Sequence, residues 1–120
     1  MSLPRVLCVD DEPFIRMMLA DSVADLGLEP VEAATGEEAL LLAEAAPLDL
    51  LITDIRLGGI DGWAVAERIR ALHPGIPIIY ISGFPTQGKS LPGAMYLAKP
   101  FRPFNLEAAV RKLLSATQFA

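Results

Sequence analysis

The sequence is poor in the features that mark several protein classes. A single cysteine, Cys8, rules out an internal disulfide, and the opening Met1-Ser2-Leu3-Pro4-Arg5 lacks the apolar stretch of a secretory signal, so a cytoplasmic setting is expected. No apolar run approaches the roughly eighteen residues that a membrane helix needs, so no membrane insertion is expected. Lys and Arg number 10 against 15 Asp and Glu and nowhere cluster, which leaves nothing to follow a phosphate backbone; direct nucleic-acid binding is not expected. The net charge of −5 points instead to cations and basic surfaces as partners. Internal repeats, linkers and low-complexity segments are missing too. A chain of 120 residues can build one proper hydrophobic core but not two, which makes residues 1–120 a single domain.

What the chain does have is 52% hydrophobic residues, many of them in five short runs rich in β-branched side chains. The runs are Arg5 to Asp10, Glu29 to Ala34, Asp49 to Asp54, Ile76 to Ser82 and Ala94 to Ala98. In the first interval Pro13 suits an opening helical position and Gly27 a C-terminal cap, with Ile15, Met18, Leu19, Val23 and Leu26 at helical spacing. In the second, Thr35 and Glu38 form a capping box ahead of Ala39, Leu40 and Ala43, and Pro47 ends the run. Asp61 caps a third helix reaching Leu72, with Val65, Ile69 and Leu72 facing inward and His73-Pro74-Gly75 closing it. The fourth interval differs: residues 83 to 93 include Gly83, Pro85, Gly88, Pro92 and Gly93, so a fourth helix should be stunted or absent. A last helix is expected from about Pro103 to Leu114, burying Leu106, Val110 and Leu113. Alternation of this kind implies an α/β fold, a doubly wound five-stranded parallel sheet with right-handed crossovers and helices on both faces.

In such a sheet ligands bind beyond the carboxyl ends of the strands. Those ends are polar here. Strand one runs into Asp10-Asp11-Glu12, strand three ends in Asp54, strand four in Ser82, and strand five is followed by Lys99-Pro100; only strand two, ending in Ala33-Ala34, is bland. Carboxylates from strands one and three would converge, and like charges a few Å apart cost roughly 4 kcal/mol per pair at an effective dielectric of 20. Such a cluster wants a cation, and hard oxygen ligands suit Mg²⁺, which also bridges to phosphate oxygens. Each residue alone has a plainer reading: the acids as complements to a helix N-terminus, Asp54 as a turn aspartate, Lys99 as a solvated lysine. Their convergence on one edge is what argues for phosphoryl transfer. Cys8 reads as core filler, Trp63 as a partly buried packing residue and Leu41 as an exposed leucine opposite the inward face of its helix.

The same residues carry a resemblance. Val6-Leu-Cys-Val-Asp-Asp-Glu-Pro13, Ile52-Thr-Asp54-Ile-Arg-Leu-Gly-Gly-Ile-Asp-Gly62, Ile78-Ile-Tyr-Ile-Ser82-Gly83 and Lys99-Pro100-Phe101 are similar, in order and each at a strand end, to the four signatures of response-regulator receiver domains. The likeness covers nearly the whole chain. It implies a flavodoxin-like sheet of order 2-1-3-4-5 and a phosphoacceptor switch that assists only its own phosphoryl transfer and dephosphorylation. Asp54 would accept the phosphoryl group; Asp11, Asp54 and the backbone carbonyl of Arg56 would ligate Mg²⁺, with Asp10 holding a coordinated water. Lys99 would pair with phosphoryl oxygens after a cis Lys99-Pro100 bond, and Ser82 would hydrogen-bond to one of them. The implied donor is a phosphohistidine on a histidine kinase or phosphotransfer protein docking beside helix one, and a downstream protein target reads the result. The sole histidine, His73, lies on the wrong side for any of this.

Departures from the family pattern carry their own expectations. Gly58 and Gly59 stand where a proline is usual four residues after the phosphoacceptor, loosening that loop. Gly83 replaces the commoner alanine beside Ser82, and Tyr96, at the rotating aromatic position, is expected to turn inward when Ser82 moves. Arg56 and Phe84 occupy the positions that flank the path of attacking water, which implies an acyl phosphate lasting minutes or more. The shortened fourth interval resembles receiver domains of hybrid histidine kinases. Two other proteins, one sharing the architecture and one the aspartyl chemistry, fit less well. A flavodoxin needs a Ser/Thr/Gly-rich phosphate loop where Asp10-Asp11-Glu12 stands, and a haloacid-dehalogenase-type phosphatase needs a second acid at the position of Arg56. The surviving rival is an unphosphorylated pseudo-receiver acting as a protein-interaction module.

Overall fold

Strand β1, Arg5–Val9, lies near the middle of a five-stranded parallel sheet with β2, Glu29–Ala33, β3, Leu50–Asp54, β4, Ile78–Ser82, and β5, Met95–Ala98. Helices α1, Pro13–Asp25, α2, Gly36–Ala45, and α3, Gly62–Leu72, fill the first three intervals, and α4, Pro103–Gln118, follows the last strand. The strand order is β2-β1-β3-β4-β5, the doubly wound arrangement expected. This computed structural model describes residues 3–83 and 90–118.

Local chemistry sets the helix ends. Pro13 opens α1, where its missing N–H costs nothing, and Gly27, at φ +80°, ends the turn after it by donating to the Ala24 carbonyl at 2.9 Å. Asp61 caps α3 by accepting from the Ala64 N–H at 2.8 Å. At the start of α2 the capping box is displaced by a residue. Thr35 Oγ1 accepts from the Glu38 N–H at 3.0 Å as expected, but the Glu38 carboxylate accepts from the Ala34 N–H, one residue before the cap.

The two-residue period of the strands sorts the core into two layers. Leu7, Val9, Leu51, Ile78 and Tyr80 point toward α2 and α3, meeting Ala39, Ala43, Val65 and Ile69. Val6, Cys8, Leu50, Ile52, Ile79 and Ile81 point the other way, to Leu19 and Val23 of α1 and Leu106 and Val110 of α4. Both β3 and β4 are buried along their whole length, as parallel strands covered on two faces must be. Burial of each large aliphatic chain in these layers contributes about 1.5–3 kcal/mol. Cys8 is fully buried core filler, and that burial pushes its thiol up to about 12.

Two sequence expectations fail at helix ends. Leu72, expected inward, is 46% exposed: it is the last residue of α3, and the chain leaves it for His73 and a left-handed Gly75. On α4 the deep positions are Leu106, Val110 and Leu114, an i, i+4, i+8 row, and Leu113 is only partly buried beside it. Leu41 is exposed, as expected.

The fourth interval carries no helix among its described residues, in keeping with its Gly and Pro content; residues 84–89 lie outside the described residues. Residues 91–94 instead close a turn, with Ala94 N–H donating to the Leu91 carbonyl and Gly93 at φ +78°. Two side chains tie this turn to the body. Arg70 donates to the Pro92 and Ile76 carbonyls at 2.7 and 2.8 Å, and the Tyr80 hydroxyl accepts from the Leu91 N–H at 3.3 Å. Trp63, half-buried as expected, packs against Tyr80 with ring centroids 4.5 Å apart and tilted by 53°.

Gly62 is where α3 passes closest to the end of β3. Its N–H donates to the Ile55 carbonyl at 2.8 Å, and a Cβ there would collide with the Asp54 carbonyl oxygen and come within 2.7 Å of the Ile55 Cα. Because both obstacles are backbone, Gly62→Ala is expected to cost about 3 kcal/mol or more in urea unfolding. A Cβ on Gly83 meets nothing within 4 Å among the described residues and its φ is not left-handed, so Gly83→Ala should stay within about 1 kcal/mol of the parent protein.

Candidate functional site

At the carboxyl edge of the sheet the pairing of β1 with β3 sets Asp10 and Asp54 side by side. Val9 is in register with Thr53, so the residue after each lies at the same height. The Asp10 N–H continues the ladder to the Ala33 carbonyl at 3.2 Å, which holds this residue rigidly one step beyond β1. Asp10 is fully buried and Asp54 only 6% exposed, whereas Asp11 is exposed. Carboxylate oxygens of the three lie within 4.8 Å of one another. Each buried acid uses one oxygen locally: Asp10 Oδ1 accepts from the Glu12 N–H at 2.9 Å and Asp54 Oδ1 from the Arg56 N–H at 3.0 Å.

The other oxygen of each faces Lys99. Its ammonium is 2.7 Å from Asp54 Oδ2 and 3.0 Å from Asp10 Oδ2, a forked pair made 45 and 89 residues away in sequence. Lys99 is placed by β4, since its N–H donates to the Ser82 carbonyl at 2.7 Å. The Lys99-Pro100 bond is cis, as the resemblance implies. Burial raises the Asp10 carboxyl above its ordinary value; the Glu12 N–H and Lys99 offset this in part, and the charge of Asp54 adds to it. For Lys99, burial alone would lower the ammonium, but the hydrogen bonds and charges of Asp54 and Asp10 outweigh it and hold it above the usual lysine value.

Three carboxylates and one ammonium leave an excess of about two negative charges, in a setting where their repulsion is poorly screened. The donor set is entirely hard oxygen, part buried and part open to solvent. That fits a divalent cation of the Mg²⁺ type, which keeps several waters and takes few protein ligands.

The structure therefore brings together Asp10, Asp11, Asp54 and Lys99, with Ser82 buried at the neighbouring strand end. The Arg56 side chain is exposed, and Tyr96 stands 43% exposed on β5. Phe84 lies outside the described residues. His73 is remote from the cluster, its Nε2 2.8 Å from the Ala43 carbonyl near the far ends of α2 and α3. Sequence reasoning missed Arg16, whose Nη1 donates to the Asp10 carbonyl at 2.8 Å and whose Nε lies 3.5 Å from Glu32. The available signal was a cation in the first turn of a helix, where the dipole disfavours it.

Removing the ammonium exposes the buried acids to each other. Lys99→Met in chelated, metal-free buffer is expected to lose about 2 kcal/mol of stability, measured by urea unfolding beside the parent protein.

Residues 6–111 match the sequence profile of the response regulator receiver domain. The probable transcriptional regulator ycf27 of Cyanophora paradoxa is 34% identical over 119 residues, which is 95% of this chain and 49% of that protein. The chain thus spans about half the length of the curated relatives it matches. Among solved structures, the receiver domain from the hybrid histidine kinase CckA is 37% identical at a TM-score of 0.81, covering 92% of this chain and 98% of that one. The response regulator TrrA from Thermotoga maritima, solved in complex with Mg²⁺-BeF, is 36% identical at a TM-score of 0.83, covering 93% and 100%. No helix among the described residues is long and apolar enough to cross a membrane.

Proposed function

The chain belongs to the response regulator receiver domain family, and from that premise we propose that it is the phosphoacceptor switch of a two-component or phosphorelay system, taking a phosphoryl group from phosphohistidine onto Asp54. One observation carries the reading: a single ammonium, that of Lys99, bridges Asp54 and Asp10 while Asp11 completes a carboxylate cluster beside them. A carboxylate is a weak nucleophile, so the protein's contribution is positioning and charge compensation. An Asp54 oxygen forms the new bond to phosphorus, the P–N bond to the donor imidazole breaks, and its electron pair stays on the ring nitrogen. Lys99 would neutralise phosphoryl oxygens as they arrive, and Ser82 would hydrogen-bond to one of them. Asp11, Asp54 and the Arg56 carbonyl would hold Mg²⁺, with Asp10 on a coordinated water; the ion's part is to offset negative charge on the transferring group.

The donor is proposed to be a histidine kinase or histidine phosphotransfer protein that docks on α1. Phe14 and Met17, one turn apart and close after Asp11, are 76% and 51% exposed, an apolar patch at the rim of the acidic cluster. A downstream protein target reads the phosphorylated surface, with Tyr96 as the aromatic that turns inward when Ser82 moves. A cytoplasmic location belongs to the same proposal, as does a place in a longer polypeptide. For that longer chain, the likeness to the CckA receiver domain and the helix-free described part of the fourth interval support the hybrid kinase type. In the alternative, a pseudo-receiver that only binds other proteins, the Lys99 fork would have a structural task alone.

Incubation with acetyl phosphate and Mg²⁺ should add one phosphoryl group by intact mass, and Asp54→Asn should abolish it. On the same sample, the shielding proposed for Arg56 and Phe84 predicts a label lasting minutes or longer; loss within seconds would end that part of the proposal alone. Phe14→Ala should slow transfer from a phosphohistidine partner at least several-fold and leave uptake from acetyl phosphate unchanged, because the small donor does not need the patch.

A further inference from the structure

Arg16 breaks a rule of helix construction. It sits in the first turn of α1, at the positive end of the helix dipole, where the acidic residues lie only before the helix, in the Asp10-Asp11-Glu12 run that ends in its cap. The guanidinium is instead committed outside its own helix. Nη1 donates to the main-chain oxygen of Asp10 at 2.8 Å, Nε lies 3.5 Å from Glu32 Oε1 on β2, and the side chain is only 21% exposed. The Asp10 carbonyl is half of the peptide that joins Asp10 to Asp11. Asp10 is fixed independently of Arg16, by the Glu12 N–H and Lys99. Asp11 is not: it is exposed, and none of the hydrogen bonds or ion pairs among the described residues involves its carboxylate. What holds it is its main chain, through the Asp10 carbonyl that Arg16 grips.

We propose that Arg16 is a positioning residue for the divalent-cation site, aiming Asp11 into the cluster by clamping the Asp10–Asp11 peptide between α1 and Glu32 of β2. The inference rests on the Mg²⁺ reading of Proposed function. It also makes a prediction whose sign is opposite to that of simple electrostatics. Removing a positive charge beside an acidic cluster tightens cation binding by charge alone. Loss of a group that orients a ligand weakens it, by about tenfold or more where such outer partners have been removed elsewhere.

Mg²⁺ affinity measured by calorimetry on the whole chain separates the two. Arg16→Gln should bind about tenfold more weakly than the parent. Arg16→Lys keeps the charge but offers one nitrogen on a shorter reach, in place of the planar guanidinium whose Nη1 and Nε meet the carbonyl and the carboxylate separately; it should be weakened as well and is the variant to rely on if Arg16→Gln does not fold. An affinity for Arg16→Lys within twofold of the parent, or tighter binding by Arg16→Gln, overturns the inference even if either variant melts at a lower temperature. Failure of the parent protein to bind Mg²⁺ overturns the reading of the site itself, and the inference with it.

Discussion

Two buried carboxylates share one ammonium at the end of the sheet, and most of the molecule is arranged to make that possible. Asp10 and Asp54 sit at equal height on adjacent strands because β1 and β3 pair in parallel with Val9 opposite Thr53. Neither acid can be moved far, since each also accepts a main-chain N–H from the turn that follows it. Lys99 reaches them only because β5 lies outside β4 and hands its next residue to the Ser82 carbonyl. Without the ammonium the two charges would repel in a poorly solvated site; without the acids, burial would favour loss of the lysine's proton. Each group is thus tolerable only in the presence of the others, and the remaining negative excess suits the edge to a further cation.

Much of this arrangement was legible in the residues. Short apolar runs rich in β-branched residues gave the strands, Pro13, Thr35 and Asp61 the helix starts, and the polar residues at the strand ends the site. These succeed because they are local: a cap or an alternation pattern is decided by a handful of neighbours. What the residues could not reveal depends on where separate elements meet. The exposure of Leu72 follows from where the chain departs α3, and the depth of Leu114 over Leu113 from how α4 lies on the sheet. The displaced capping box at Ala34 turns on a side-chain reach that no pattern encodes. At the site, the acids and the lysine were named, but the direct fork of Lys99 onto both acids and the grip of Arg16 on Asp10 required coordinates, being contacts between a side chain and a partner on another element.

The fourth interval shows the sheet managing without a full crossover helix in its described part. Where helical packing would ordinarily hold β5 against β4, two polar anchors fasten the incoming turn: Arg70 from α3 onto the Pro92 carbonyl and Tyr80 from β4 onto the Leu91 N–H. Hydrogen bonds of this kind contribute about 1 kcal/mol each, far less than a buried helix face.

Trp63 is the only indole in the chain, and it leans on Tyr80 one residue after Gly62, whose main chain is pressed against that of Asp54 and Ile55. A shift of the acidic turn would reach that ring across a single residue. The domain thus carries a natural fluorophore beside its charged edge, and its emission intensity is expected to respond to whatever occupies that edge.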